Sequence, residues 1–386
     1  MTTQRTLAAE TTGRRFGPDE AQALSQYLDD VEDHTLIYPI EDPRQVMLDP
    51  EYRVSEGGGQ LSWLAVRQIC RTLGAGLGTY LSDVSGHRRA PAADEAEFFS
   101  VADAAAVFNM AVRRRFGRNL SGMQALRNTR TNLVDAVVGR GYRRLPNRDF
   151  LERVGDVLEG SGQRLRFQEA LVVGRRVTLR YMQVDPCYAS EDDRFTAVHP
   201  GYTFSNSEVG DGSVRATPFL WFDPSGVALM PYNTASRVAH TGRDFPRRMQ
   251  RLLDRTMERW QGSPLFAGGV GPALALMEEH RLGFTGGDEA ADDARFRELA
   301  AQLRHRQLST ATARRVLRRA LFAGGREEAP ADTTRSARRA TWGTRSALDV
   351  FCAFLRESEE TPLHVAARER LEQIAYLMLS GRFRPE

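Results

Sequence analysis

Residues 198–243 read VHPGYTFSNSEVGDGSVRATPFLWFDPSGVALMPYNTASRVAHTGR, and this stretch decides the fold class. Two apolar-aromatic runs, Tyr202–Phe204 and Phe219–Phe222, predict strands, because aromatic side chains suit a pleated, half-buried surface. Between them, Ser205–Gly212 is turn chemistry. Asn, Asp and Ser bond to nearby backbone, and Gly210 or Gly212 is expected at positive φ. Asp223-Pro224-Ser225-Gly226 fits a type I turn, with Pro in its second place and Gly in its fourth. The local expectation is a β-meander whose first turn carries a carboxylate.

Working outward, Leu165–Val173 and Arg176–Val184 predict paired strands turning at Gly174-Arg175 and stopping at Asp185-Pro186. Asn147–Leu158 predicts a helix, and Asn132–Val138 is an apolar run before it. Further upstream, Phe16–Glu20 opens a short helix and His34–Ile40 and Val46–Val54 predict strands. Leu61–Gly74 has helical spacing, and Ser100-x-x-Asp103 caps an Ala-rich helix that ends in Arg113-Arg114-Arg115. Downstream, Phe245–Trp260 places Met249, Leu252, Leu253 and Met257 on one face. More helices are expected at Pro272–Arg281, Asp292–Arg306, Thr310–Leu321, Arg345–Glu357 and Leu363–Ser380, with a polar loop at Gly324–Thr334.

These readings together predict an α+β protein. A mixed or antiparallel central sheet from about residue 120 to 242 is flanked by N-terminal helices and closed by a C-terminal helical region. The expected divisions are a disordered tail at 1–15, an N-terminal α/β segment at 16–117, a β-rich core at 118–243 and a helical region at 244–386.

Composition narrows the chemistry. The chain has 386 residues, 41% hydrophobic and 27% charged, with a net charge of +3, and all 53 basic residues are Arg. Without lysine there is no Schiff-base chemistry and no Walker-type phosphate loop. The 3 cysteines, Cys70, Cys187 and Cys352, lie far apart, and no apolar run reaches membrane-spanning or secretory length, so a reduced cytoplasm is expected. Acidic residues dominate the first 60 positions, whereas Arg113–Arg180 holds 16 Arg against 6 acids.

Asn206-Ser207-Glu208-Val209-Gly210, followed by His240-Thr241-Gly242-Arg243, resembles the core of the phage/plasmid-like family of unknown function, domain of unknown function 932. Leu61–Gly74 with Leu77-Gly78-Thr79-Tyr80, Gly141–Asn147 and Trp342–Leu379 resemble its flanking segments, so the likeness runs from residue 34 onward. The resemblance implies a protein of phages, plasmids or related mobile elements with no settled activity. It makes Asn206, Ser207, Glu208, Gly210, His240 and Gly242 the motif residues.

Arg meets phosphates and aromatic faces meet unstacked bases. Tyr142, Arg143, Arg144, Arg175, Arg176, Arg247 and Arg248 are therefore the candidate nucleic-acid contacts, weighed against solvated helix faces with acidic neighbours. The expected function is non-catalytic binding of nucleic acid, single-stranded DNA favoured, with no membrane partner, no cofactor and room for a homo-oligomer. An accessory or assembly protein acting through protein contacts is the alternative. A hydrolase using Ser207, Glu208 and His240 comes third, since no GxSxG elbow is present. His199, His240 and Cys187 could meet across a sheet, but no HxxxH or CxxC spacing supports a metal. The Gly-rich pieces at 74–78 and 268–271 lack dinucleotide-site context and read as turns.

Overall fold

Two large hydrophobic clusters, each built on its own sheet, organise the described residues. A computed structural model describes residues 13–48, 59–74, 102–189, 196–210, 212–223, 225–230, 236–261, 265, 269–285, 288–322, 345–361 and 366–383.

The larger sheet is antiparallel. Its order is β1 (Arg14–Phe16), β6 (Leu165–Val173), β7 (Arg176–Gln183), β9 (Ala197–Ser207), β10 (Val214–Asp223) and β11 (Val227–Leu229). Two short strands extend it: β8 (Tyr188–Ala189) pairs with β9, and β12 (Ser236–Val238) pairs with β10. The smaller sheet is mixed, in the order β2 (Thr35–Pro39), β4 (Gln124–Asn128), β5 (Leu133–Val138) and β3 (Gln60–Leu61), with β3 parallel to β5.

Side-chain alternation along β10 explains the layering. Leu220 and Phe222 enter the large core, while Phe219 and Trp221 join Met182 and Ala228 in a small cluster. Each fully buried Phe in that core is worth about 1.5–3 kcal/mol of burial. Helix α4 (Asn147–Gly160) adds Phe150 and Val154 to the large core, and α5 (Phe245–Gln261) adds Met249 and Leu253. The C-terminal helices α6 (Val270–Glu279), α7 (Glu289–His305), α8 (Thr310–Phe322), α9 (Ala347–Glu360) and α10 (Ala366–Leu379) belong to the same cluster, through Leu274, Leu303, Leu317, Phe351 and Ile374. The smaller sheet packs against α2 (Trp63–Leu73) and α3 (Ala102–Arg115) through Ile69, Phe108 and Val112.

The α+β class matches the sequence expectation, and several details differ. The described residues form two sheets, because Gln124–Asn128 and Leu133–Val138 pair with strands near residues 35 and 60 and not with the meander. A division at residue 118 therefore separates α3 from strands that share its core. The first strand begins at Arg14, where a tail was expected, since Arg14–Phe16 pairs with Ala170–Val172. The short helix expected at Phe16 starts at Pro18 and leads into α1 (Ala21–Asp33). Residues 46–48 follow the tight turn at Pro43–Gln45 and form no strand of their own, and 49–54 lie outside the described residues. Asn206 and Ser207, expected in a turn, are the last residues of β9. Within that strand position 201 is glycine, where a side chain would collide with the Phe219 ring and lie 2.6 Å from the Tyr181 carbonyl. Ser100-x-x-Asp103, Leu77–Tyr80, Gly324–Thr334 and Trp342 also lie outside the described residues or side chains.

Candidate anion-binding groove

Segment 142–147, between the smaller sheet and α4, is held from two directions by the motif residues. On one side Asn206 Nδ2 donates to the Leu145 carbonyl (2.9 Å) and to Asn147 Oδ1 (2.8 Å). The Glu208 carboxylate accepts from Arg144 Nη2 (3.1 Å) and from the Asn147 backbone N–H at the start of α4. The Tyr142 hydroxyl donates to the Ser207 carbonyl (3.0 Å) and accepts from the Gly210 N–H (3.1 Å). Gly210 has φ +72°, as the turn chemistry predicts.

On the other side the Arg143 N–H donates to the His240 carbonyl (2.7 Å), and His240 Nδ1–H donates back to the Arg143 carbonyl (3.1 Å). The imidazole stacks between Tyr142 (5.3 Å between ring centres) and Phe245 (4.8 Å). Burial pushes its pKa below the ordinary histidine range, with the Arg143 carbonyl partly opposing. Arg248 Nη2 reaches the Ala239 carbonyl (3.4 Å) and the Thr241 carbonyl, strapping the start of α5 to the His240 segment.

Beneath this clamp lies a buried ionic node joining the two sheets. Arg175, in the β6–β7 turn, donates Nε to Asp135 Oδ2 on β5 (2.8 Å) and Nη1 to Thr35 Oγ1 on β2 (2.6 Å). Its Nη1 also lies 3.6 Å from Glu208. Burial raises the Asp135 pKa, and the Arg175 charge works against that rise. Arg144 binds Glu32 of α1 as well as Glu208. Burial disfavours its charge, yet the two carboxylates more than offset this and its pKa is raised.

Above the clamp, a cavity of about 370 Å³ opens between the first turns of α4 and α5. Four guanidinium-bearing residues line it: Arg143, Arg144, Arg153 and Arg243. Asp149 is the one acidic residue among the described residues of that lining, and its carboxylate lies 3.5 Å from Arg148. Leu145, Pro146, Phe245, Pro246 and Met249 supply an apolar wall. Among the described residues nothing pairs with the guanidinium of Arg143, Arg153 or Arg243, and all three are exposed.

The expected nucleic-acid contacts thus divide. Arg143 lines the groove, and Arg247 stands exposed beside it on α5. Arg144 and Arg175 correct the expectation: their charges are neutralised by Glu32, Glu208 and Asp135 inside the protein. Tyr142 and Arg248 brace the clamp, and Tyr142 has one ring face against His240. Arg176 is exposed on β7 and is no part of the groove lining. The candidate set lacked Arg153 and Arg243, which also line the groove, because nothing local in the sequence brings the starts of α4 and α5 together.

The hydrolase set does not assemble. Ser207 and Glu208 are each 1% exposed, His240 Nδ1 serves the Arg143 carbonyl, and His240 Nε2 has no partner. No nitrogen of that ring contacts Ser207 or Glu208, so a base–nucleophile pair is missing. His199 and Cys187 are elsewhere, on the Gln183 and Val198 carbonyls. Among the described residues no three His, Cys, Asp or Glu side chains gather, and no helix is long and apolar enough to cross a membrane.

No protein-family model, curated protein or solved structure matches this chain.

Proposed function

We propose that the protein binds nucleic acid, single-stranded DNA in preference, through the groove between α4 and α5, without catalysing a reaction. The observation that carries this reading is the unpaired state of Arg143, Arg153 and Arg243 around one cavity, in a protein that neutralises many other arginines internally. Guanidinium groups without carboxylate partners match phosphate oxygens in geometry and charge. The apolar wall favours a single strand, whose sugars and bases are free to pack, over a duplex that presents only its backbone there. The motif likeness to the phage/plasmid-like family supports a role in the DNA metabolism of a mobile element.

The test is a binding titration with labelled single- and double-stranded DNA at two salt concentrations, on the full chain and on Arg143→Ala and Arg243→Ala. Affinity should fall steeply with salt, and each variant should lower the salt slope by about one per lost phosphate contact. Negligible binding of both DNAs at low salt would remove this reading and favour an accessory protein working through protein contacts.

A further inference from the structure

We infer that the groove takes the end of a nucleic-acid strand, with a terminal phosphomonoester held by Arg143, Arg153 and Arg243. This inference rests on the nucleic-acid reading and sharpens it.

Size is the first argument. About 370 Å³ is at the small end of the range for pockets that hold one small molecule, and it suits one nucleotide better than a run of them.

Charge is the second. Four Arg and one Asp line the cavity, and the Asp149 carboxylate lies 3.5 Å from Arg148. Arg144 is matched by Glu32 and Glu208, so the unmatched groups are Arg143, Arg153 and Arg243. An internal phosphodiester brings a single negative charge. A terminal monoester brings roughly −1.5 to −2 near neutral pH and a third free oxygen, the better complement to three donors.

Shape is the third. Leu145, Phe245 and Met249 are buried behind the wall and make it firm, and the rings of Pro146 and Pro246 are its accessible surface for the terminal sugar and base. The first amide of α4 is already taken by Glu208. Recognition therefore falls to the guanidinium groups and not to that helix end. Arg247 follows Pro246 directly and is exposed, where the next phosphate of a bound strand can meet it.

The experiment compares one labelled oligonucleotide phosphorylated at one end, at the other end, or at neither, with the free mononucleotide as competitor. The full chain, Arg153→Ala and Arg243→Ala are measured, and circular dichroism and melting verify that these exposed changes leave the fold intact. A phosphorylated end should bind roughly tenfold tighter than the hydroxyl-ended strand, and both variants should erase that preference. The mononucleotide should displace the phosphorylated oligonucleotide. Equal binding of all three forms, still salt-dependent and weakened in Arg243→Ala, would overturn strand-end capture while leaving nucleic-acid binding in place. A phosphate preference that survives in both variants, or that the mononucleotide cannot compete, would move it away from this groove and also overturn it. Absence of binding to every form would remove both readings.

Discussion

Arg175 Nη2 and Asp135 Oδ2 meet at 2.7 Å, although one residue belongs to a turn of the large sheet and the other to a strand of the small one. With Thr35 and Glu208 on the same guanidinium, this contact ties the two sheets together. Truncating Arg175 leaves the buried Asp135 carboxylate without its cation, while Glu208 keeps Arg144. Arg175→Met should cost about 3–5 kcal/mol in denaturant unfolding. A loss under about 1 kcal/mol would show that the node contributes little to joining the sheets.

Two neighbouring arginines should behave in opposite ways. Arg144 is fixed between Glu32 and Glu208, so Arg144→Ala should lower stability by about 3 kcal/mol. Among the described residues the Arg143 side chain has no partner, so Arg143→Ala should change stability by no more than about 0.5 kcal/mol while weakening DNA binding and its salt dependence. Parallel unfolding and binding measurements separate the two, and a stability loss in Arg143→Ala matching that of Arg144→Ala would contradict the division.

The Tyr142 hydroxyl bridges the Ser207 carbonyl and the Gly210 amide, closing the turn between β9 and β10. Tyr142→Phe keeps the ring against His240 but removes both bonds, and a loss of about 1–2 kcal/mol is expected from chemical denaturation. Unchanged stability would mean that water replaces the hydroxyl at no cost.

Gly210 carries φ +72°, and a Cβ there would sit 3.1 Å from Val138 Cγ1. A branched side chain meets both backbone strain and that neighbour, so Gly210→Val should destabilise by about 1–3 kcal/mol. A melting temperature equal to that of the parent protein would refute the requirement.

His240 gives a pH signature. Its folded-state pKa lies below the ordinary 6.5, so the unfolded chain takes up a proton first on acidification. The stability it confers is complete above 6.5 and is lost as pH falls through the folded-state value. His240→Phe keeps a ring between Tyr142 and Phe245 and removes the titration. Unfolding free energy should therefore fall more in the parent than in the variant between about pH 7.5 and 5.5. Identical pH slopes would place the titration elsewhere.

What the sequence determined by itself was local. Runs such as Leu165–Val173 and Arg176–Val184, with Gly174-Arg175 between them, turn within a few residues, and the structure has strands at Leu165–Val173 and Arg176–Gln183. The helices from Asn147 and Phe245 onward were legible too, because apolar periodicity and capping are properties of neighbouring residues. Tertiary structure alone decided that Gln124–Asn128 and Leu133–Val138 leave the meander to join Thr35–Pro39 and Gln60–Leu61, since strand pairing is set by partners far along the chain. It also decided which arginines keep their charge for a ligand. Arg143 and Arg144 are adjacent in a basic stretch and indistinguishable by composition, but the side chain of one faces an open cavity and that of the other meets Glu32 and Glu208. Whether a charge is free depends on the carboxylates folding places around it, and those come from residues more than sixty positions away on either side.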